Sequence, residues 1–450
     1  MMNTPNIRFQ FSLLLSCILL GSTAMAQKAN ENSSQPPNIV LIVIDDIGYG
    51  DLGIYGHGQH NTPNINRLAR KGMIFSDFHT NGSVCSPTRA ALMTGQYQQR
   101  SGVERAIGFN KEEGIPLNKR IFAEGLQEKG YKTGVFGKWH LGHVEFFGPN
   151  FQGFDKSVVS NNSPDYHTHM SRVGELDWYE DHELNNESGY LTDLVSQHSL
   201  DFVDENKENP FFLYVSHIAL HFPFQGPTDP PLRTEGKIWH DVKYGPLPES
   251  QYRRAYLDML ESVDNSIGEL MSKLESLNLD ENTLVFITSD NGAYPWVGSN
   301  YPLRGGKGNL FEGGHRVPAI AYWPGQIAEG VVESTTLMTM DLAPTFLSLA
   351  NASSEEDNFD GMDFSPLLSG QTMDSKRTLF WRTLPIRSDN PVISVRRGDW
   401  KYMEDENGNY LFNLSLDITE SNNLIKEYPQ RAAKMAADYN LWSEEVLGEE

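Results

Sequence analysis

Hydrophobic residues along this chain gather in short unbroken runs separated by polar clusters. Asn38-Ile39-Val40-Leu41-Ile42-Val43-Ile44 is one such run, and apolar character without alternation predicts a strand buried on both faces. Thr133–Phe136, Phe211–Val215 and Leu284–Thr288 repeat the pattern. Between the last two, Ser250–Leu277 carries Tyr256, Leu260, Val263 and Ile267 at helical spacing, which predicts a long amphipathic helix. Thr62-Pro63 predicts a helix start with Thr62 as cap, and Gly72 its end. Buried strands alternating with helices define an α/β fold with a large, mostly parallel sheet flanked by helices.

The pattern changes near Asn351–Asp360, which is polar and acidic. Beyond it, Thr378–Trp381, Val392–Val395, Trp400–Met403 and Tyr410–Phe412 read as short strands followed by a terminal helix. The expected organisation is a large α/β domain over 38–350 and a smaller antiparallel-sheet-plus-helix subdomain over 351–450. No internal repeat or low-complexity tract interrupts either part.

At the amino terminus, Arg8 precedes the apolar run Phe11–Leu20, and Ala24-Met25-Ala26 stands before Gln27. A charged start, a short apolar centre and a small-residue cleavage site read as a signal peptide over residues 1–26. Residues 27–37 follow as a polar linker. Leu14-Leu15-Ser16-Cys17 also permits a lipoprotein reading, although apolar sequence continues past Cys17. No later segment is long and apolar enough to predict a membrane span. The expected product is exported, periplasmic or secreted, with about 420 residues, enough for one large domain and a smaller appendage. The full chain's formal net charge of −23 argues against nucleic acid or an anionic membrane surface as partner. An anionic ligand therefore needs a local basic pocket.

Of the chain's 2 cysteines, Cys17 lies in the leader, so Cys85 has no partner. It belongs to Ser83-Val84-Cys85-Ser86-Pro87-Thr88-Arg89, with Gly95 further on. Pro87 and Gly95 frame a short helix with residue 85 at its start. Free N–H groups there favour an anion and are expected to lower a thiol pKa. Arg89 follows one turn later on the same face.

Candidate metal ligands and anion-binding groups fall at the predicted strand ends, where ligands bind in such sheets. Asp45, Asp46, Asp290 and Asn291 offer hard oxygen donors that suit calcium or magnesium, although Asp at a strand end is also ordinary turn chemistry. Lys138 and His140 alternate in Gly137-Lys138-Trp139-His140, so in extended backbone they share a face. Lys307 sits in Arg304-Gly305-Gly306-Lys307-Gly308, where glycines allow close approach to a ligand. His221 completes this group.

Taken together, Cys85-x-Pro87-x-Arg89 with its Leu92-Met93-Thr94-Gly95 continuation resembles the signature of the type I sulfatases, in the alkaline phosphatase superfamily. The strand ending Asp45-Asp46-Ile47-Gly48-Tyr49-Gly50, then Gly137-Lys138-Trp139-His140, Ser289-Asp290-Asn291-Gly292 and Gly306-Lys307-Gly308 extend the resemblance along the chain. Thr88 stands where many members have serine and keeps the hydroxyl. The resemblance implies an alkaline-phosphatase-like fold and a sulfuric ester hydrolase. It implies that a formylglycine-generating maturation enzyme oxidises Cys85, whose aldehyde hydrate then supplies the nucleophilic oxygen. It places one calcium ion on Asp45, Asp46, residue 85, Asp290 and Asn291. Arg89 then stabilises the hydrate, Lys138 and Lys307 hold sulfate, His140 acts as the base that regenerates the aldehyde, and His221 lies near the leaving oxygen.

For substrate contacts, Ser163 is expected from its spacing after Gly153-Phe154-Asp155. His167 and His169 come from Asp165-Tyr166-His167-Thr168-His169, which resembles a segment of sulfated-sugar sulfatases, including the N-acetylgalactosamine-4-sulfatase branch. His315 in Glu312-Gly313-Gly314-His315-Arg316 could line the same subsite, with Arg382 and Arg396 as further candidates for acidic groups. The expected substrate is a sulfated polysaccharide or its oligosaccharides. A phosphodiesterase or phosphonate monoester hydrolase of the same superfamily, and a non-catalytic glycan-binding relative, are the alternatives.

Overall fold

The computed structural model describes Met1 and residues 36–55, 60–108, 112–239, 244–354, 357–385 and 390–448. The expected leader lies outside the described residues, Met1 apart. Among those described, no helix is long and apolar enough to cross a membrane.

The run from residue 38 forms β1 (Asn38–Ile44), the centre of a ten-stranded sheet. Its side chains alternate between two cores. Ile39, Leu41 and Val43 enter one, whereas Val40, Ile42 and Ile44 enter the other, as the two-residue period of a strand demands. Burying each such side chain stabilises the fold by about 1.5–3 kcal/mol. The described strands follow as β2 (Met73–Phe75), β3 (Phe78–His79), β4 (Lys132–Lys138), β5 (Lys156–Ser160), β6 (Tyr179–Glu180), β7 (Glu183–Leu184) and β8 (Phe211–His217). Then come β9 (Thr283–Ser289), β10 (Ala319–Tyr322), β11 (Val331–Glu333) and β12 (Leu337–Met338). Sheet order is β11-β2-β10-β9-β1-β8-β4-β5-β6-β7. The central strands β9, β1, β8, β4 and β5 run parallel; β10 and β6 join antiparallel.

Helices cover both faces. α1 (Pro63–Lys71), α3 (Leu191–Asn206) and α4 (Tyr252–Ser276) pack over one core, and α5 (Leu342–Leu349) over the other; α2 (Cys85–Thr94) lies at the site described below. The start of α1 departs from expectation. Thr62 makes no capping hydrogen bond. The carboxylate of Asp264, on α4, accepts instead from the Asn64 and Ile65 N–H groups at 3.1 and 2.9 Å. Packing of two helices thus supplied a cap that local sequence reading assigned to Thr62.

A separate antiparallel sheet holds β13 (Thr378–Thr383), β14 (Val392–Arg397), β15 (Trp400–Asp405) and β16 (Gly408–Asn413) in sequential order. The terminal helix α6 (Pro429–Leu447) packs Met435, Tyr439 and Trp442 against Leu379, Trp381 and Val395. Ala91 and Tyr97 join the same core, tying this subdomain to the segment around α2.

Candidate active site

Parallel pairing brings the polar strand ends level. Ile44 pairs with His217 on one side and with Ser289 on the other. Asp45-Asp46 and Asp290-Asn291 therefore leave neighbouring strands at one edge, and Lys138 ends β4 beside them. Gly137 makes that placement possible: a Cβ there would run into the Ser216 carbonyl oxygen. Asp46 and His140 take left-handed backbone angles, φ 63° and 55°, a sparsely populated choice that recurs at functional sites. At His140 the expected extended geometry gives way to this left-handed backbone, and both it and Lys138, the last residue of β4, are buried.

Across this edge lies α2, every residue of it buried, with Cys85 first. The helix ends on Gly95 at φ 66°, whose N–H bonds Ala91 O at 2.9 Å. Thr88 Oγ1 both accepts from Gly82 N and donates to Gly82 O, each at 3.1 Å, so the hydroxyl closes the loop before the helix. Lys307 arrives on a separate loop, held by Gly308 N to Ser83 O at 2.8 Å.

Cations and carboxylates converge on Cys85. Lys138 Nζ lies 3.5 Å and Lys307 Nζ 3.4 Å from its Sγ. Lys138 also bonds Asp45 Oδ2, and Lys307 bonds Asp46 Oδ1, each at 2.5 Å. Arg89 donates to Asp290 Oδ2 through Nε at 3.0 Å and Nη2 at 2.8 Å. Burial works against charge on Lys138 and Lys307, yet Asp45 and Asp46 respectively raise both ammonium groups above their ordinary value. Asp45 is held well below the usual range: burial raises it, but Lys138, His221, Lys307 and Arg89 outweigh burial. Asp46 moves the other way, to about 6, through burial and repulsion from Asp45 and Asp290 against the pull of Lys307.

The thiol itself overturns one expectation. Burial, then Asp45, pushes Cys85 up to about 12 despite both lysines. The helix start does not make a thiolate here, because desolvation and a neighbouring carboxylate exceed its effect. As a cysteine, this side chain would be a poor nucleophile.

The acidic group fits a hard cation. Asp45, Asp46, Cys85 and Asp290 offer ligand atoms all within 4.8 Å of one another. Asn291 donates its amide N–H to Asp46 Oδ1 at 2.6 Å, leaving Asn291 Oδ1 and Asp46 Oδ2 buried without hydrogen-bond partners. Buried acceptor oxygens without donors, beside like-charged carboxylates, suit an oxygen-liganded divalent ion.

The histidines divide. His140 Nε2 is tied to Ile107 O at 3.0 Å, while its Nδ1 is buried without a partner. Burial, then Lys138 and Arg89, holds it well below the imidazole range. His221 Nε2 lies 4.0 Å from Asp46 Oδ2, and its Nδ1 bonds Phe222 O at 2.7 Å. His167 is half-buried with Nε2 unpartnered, whereas His169 is buried and bonds Gly189 O at 3.0 Å. Their segment is fastened by Asp165, which accepts from His167 N, Thr168 N, Leu232 N and Arg233 N. Tyr166 OH donates to His221 O at 2.9 Å, so this segment positions the His221 loop. Ser163 is buried with an unpartnered hydroxyl, and its carbonyl accepts from Arg233 at 2.6 Å.

His315 is not brought to the Cys85 group. It is fully buried, with its ring 4.5 Å from that of Trp381 and its Nδ1 3.0 Å from His79 Nδ1. Its position in the chain, beside a glycine pair, gave no sign of this. Arg396 and Arg382 are likewise paired, to Asp77 and to Glu104. Tyr214 and Ser216 were missed. They receive Arg89 Nη1 at 3.1 and 2.6 Å, and their alternate spacing in β8 puts them on one face, a signal hidden within the apolar run.

Residues from strand ends, α2 and the Lys307 loop thus bring two lysines and an arginine, interleaved with carboxylates, around Cys85 at one edge of an α/β sheet. Residues 37–352 match the sulfatase family, and 306–443 match the N-sulphoglucosamine sulphohydrolase C-terminal family. The chain belongs to the sulfatase family and is a sulfuric ester hydrolase. It is 37% identical over 395 residues to N-acetylgalactosamine-6-sulfatase of Canis lupus familiaris, covering 82% of this chain and 71% of that one. Arylsulfatase G of Rattus norvegicus is 34% identical over 401 residues, 78% and 72% of the respective chains. The crystal structure of Ps i-CgsB in complex with k-i-k-neocarrahexaose superimposes with a TM-score of 0.80 at 30% identity, covering 91% of this chain and 93% of that one.

Proposed function

We propose that this chain is an exported sulfatase that removes sulfate esters from a sulfated polysaccharide or its oligosaccharides, with Cys85 converted to formylglycine and one calcium ion at Asp45, Asp46, Asp290, Asn291 and residue 85. The observation that carries the reading is the convergence of Lys138, Lys307 and Arg89 on residue 85 beside a carboxylate group. A thiol pushed to about 12 supports a role as precursor rather than nucleophile. When bound, calcium would supply charge that favours an ionised oxygen nucleophile.

The remaining roles fall to this chain's own residues. Lys138 and Lys307 hold sulfate oxygens and oppose the charge that develops on them. Arg89, fixed by Asp290, Tyr214 and Ser216, orients the nucleophilic oxygen of residue 85. His221 and Lys307 are the proposed proton donors to the leaving sugar oxygen, a role worth roughly 10²–10⁴-fold for such a poor leaving group. His140, kept neutral by burial, accepts a proton as sulfate departs. Ser163 and His167, whose side-chain Oγ and Nε2 lack partners among the described residues, are the proposed substrate contacts, and His169 supports their segment. Residues 38–350 carry the chemistry, and 351–450 form the C-terminal subdomain. The leader at 1–26 directs export to the periplasm or beyond, where the matured enzyme meets its substrate.

The glycan class draws on relatives named for sulfated sugars: N-acetylgalactosamine-6-sulfatase, and Ps i-CgsB crystallised with a carrageenan-type hexaose. Where the Asp165–His169 segment resembles a 4-sulfatase branch, these relatives are named for other sulfate positions or substrates. The test has two arms. Peptide mass spectrometry of enzyme co-expressed with a maturation enzyme should find residue 85 lighter than cysteine. Purified enzyme should turn over sulfate esters faster than matched phosphodiesters. Faster phosphodiester hydrolysis would favour the superfamily alternative, and an unmodified, inert Cys85 the glycan-binding one.

A further inference from the structure

From the groups that face the ester, a continuous path of aromatic rings leads to the surface. The His221 ring lies 4.2 Å from Phe222. Phe222 in turn lies 5.0 Å from Tyr244 and 6.1 Å from Tyr294. Both tyrosines approach Trp296, at 4.9 and 5.8 Å. Exposure grows along this path, from 8% at Phe222 to 48% at Trp296. The outer end is held in place: Val297 N and Gly298 N bond Tyr294 O at 3.1 and 2.9 Å, and Trp296 packs 5.5 Å from Phe224.

Two cations lie over these rings. Lys307 Nζ is 5.1 Å from the Tyr294 ring centre, which joins the path to the sulfate pocket. Arg172 Cζ is 4.9 Å from that of Phe222, and among the described residues its guanidinium has no ion pair. Pyranose rings present apolar C–H faces that settle on aromatic surfaces, while their hydroxyls stay in water. A positive rim on a protein of net charge −23 adds that the occupant is anionic. An apolar aryl or steroid sulfate would gain from the rings but nothing from Arg172.

We propose that Tyr244, Tyr294 and Trp296, backed by the buried Phe222 ring, form a stacking platform for the sugar rings adjoining the scissile sulfate ester of an anionic glycan, with Arg172 engaging a second acidic group on that chain. This rests on the sulfatase reading above and names how it selects its substrate. These are positioning residues; none of them takes part in bond breaking.

The experiment compares kcat and KM of matured enzyme on 4-nitrophenyl sulfate, on a tetrasaccharide containing N-acetylgalactosamine 6-sulfate, and on a carrageenan tetrasaccharide. Trp296→Ala should raise KM for the tetrasaccharide that is cleaved by about tenfold or more, with kcat far less affected. Its kcat/KM ratio of tetrasaccharide to aryl sulfate should fall by about the same factor. Trp296→Tyr, which keeps a ring, should recover most of the loss and so separates stacking from misfolding. Arg172→Gln should raise KM more for a doubly than for a singly acidic tetrasaccharide. Equal effects of Trp296→Ala on all substrates, no effect on any, or wild-type preference for apolar aryl sulfates over both tetrasaccharides would each overturn the platform alone. If the wild type cleaves no sulfate ester, the underlying functional reading falls with it.

Discussion

Two buried constellations of metal-ligating residue types occur among the described residues, and their partners differ. Asp45, Asp46, Cys85 and Asp290 form one; His79, Glu312 and His315 form the other. In the first, Asp46 Oδ2, Asn291 Oδ1 and the nearby His140 Nδ1 lack hydrogen-bond partners, and Asp46 is driven up to about 6 by burial and like charge. In the second, Lys401 Nζ sits 2.9 Å from Glu312, 2.8 Å from Glu420 and 3.1 Å from His315 Nε2. Arg396 pairs with Asp77 at 2.7 Å and reaches His79 Nε2 at 2.9 Å. Glu312 is accordingly held well below its usual range: burial raises it, but Lys401, His79, His315 and Arg396 together outweigh burial.

The same residue types therefore do opposite things. The second group is closed by this chain's own cations, and it joins β3 and the 312–315 helix to β14 and β15 of the C-terminal sheet. It is a clamp between subdomains. The first leaves hard oxygen acceptors unmatched, and such unmatched atoms mark a site built for something other than stability. Facing Nδ1 atoms of His79 and His315, 3.0 Å apart, share one proton, so at most one ring is charged. Burial lowers both imidazoles, in keeping with that arrangement.

This contrast can be broken most sharply at residue 85. Cys85→Ala should lose on the order of 10⁴-fold or more in turnover while its thermal midpoint stays close to wild type; retained turnover would end the catalytic assignment. Lys401→Ala should do the reverse. Leaving Glu420 buried without a cation, and Glu312 with only Arg316 and Arg396, costs about 3–5 kcal/mol of stability, read by urea unfolding, with much smaller change in kcat per folded molecule. Because Glu312 is depressed in the folded state, its stabilising contribution is present above its unfolded pKa and is lost as pH falls through the folded one. The acid limb of the stability profile should therefore flatten in Lys401→Ala. Calcium removal comes next. A chelator should abolish turnover and lower stability relative to protein at saturating calcium by about 2.7 kcal/mol for a hundredfold excess over Kd. An unchanged midpoint in calorimetry would argue against an ion at this group. At the small end, Lys434→Ala removes an exposed pair with Asp438 on α6 and should change stability by no more than about 0.5 kcal/mol. A larger loss would show that surface pairing, not burial, sets these energies.

Legibility in the sequence followed strand ends. Asp45, Lys138 and Asp290 each stand where an apolar run stops, and parallel strands must deliver such residues to one edge. Cys85 and Arg89 were legible because helix punctuation surrounds them. Tyr214 and Ser216 were not, since a polar residue inside a buried strand looks like part of the run. His315 misled for a different reason. Its ring is placed by His79, 236 positions away, and Lys401, 86 away, and no local pattern records such neighbours. Trp296 was likewise invisible as part of a platform, because its rings come from two connections, one after β8 and one after β9.

By itself the sequence determined the α/β plan, the family signature and the strand-end residues, all of which depend on periodicity and short-range backbone chemistry. The tertiary structure decided which charges meet. It raised a thiol that its helix position was expected to lower, paired both groups of buried acids with lysine and arginine, and in one of them left Asp46 Oδ2 and Asn291 Oδ1 without donors. Desolvation and distance between remote segments set those outcomes, and both exist only once the chain has folded.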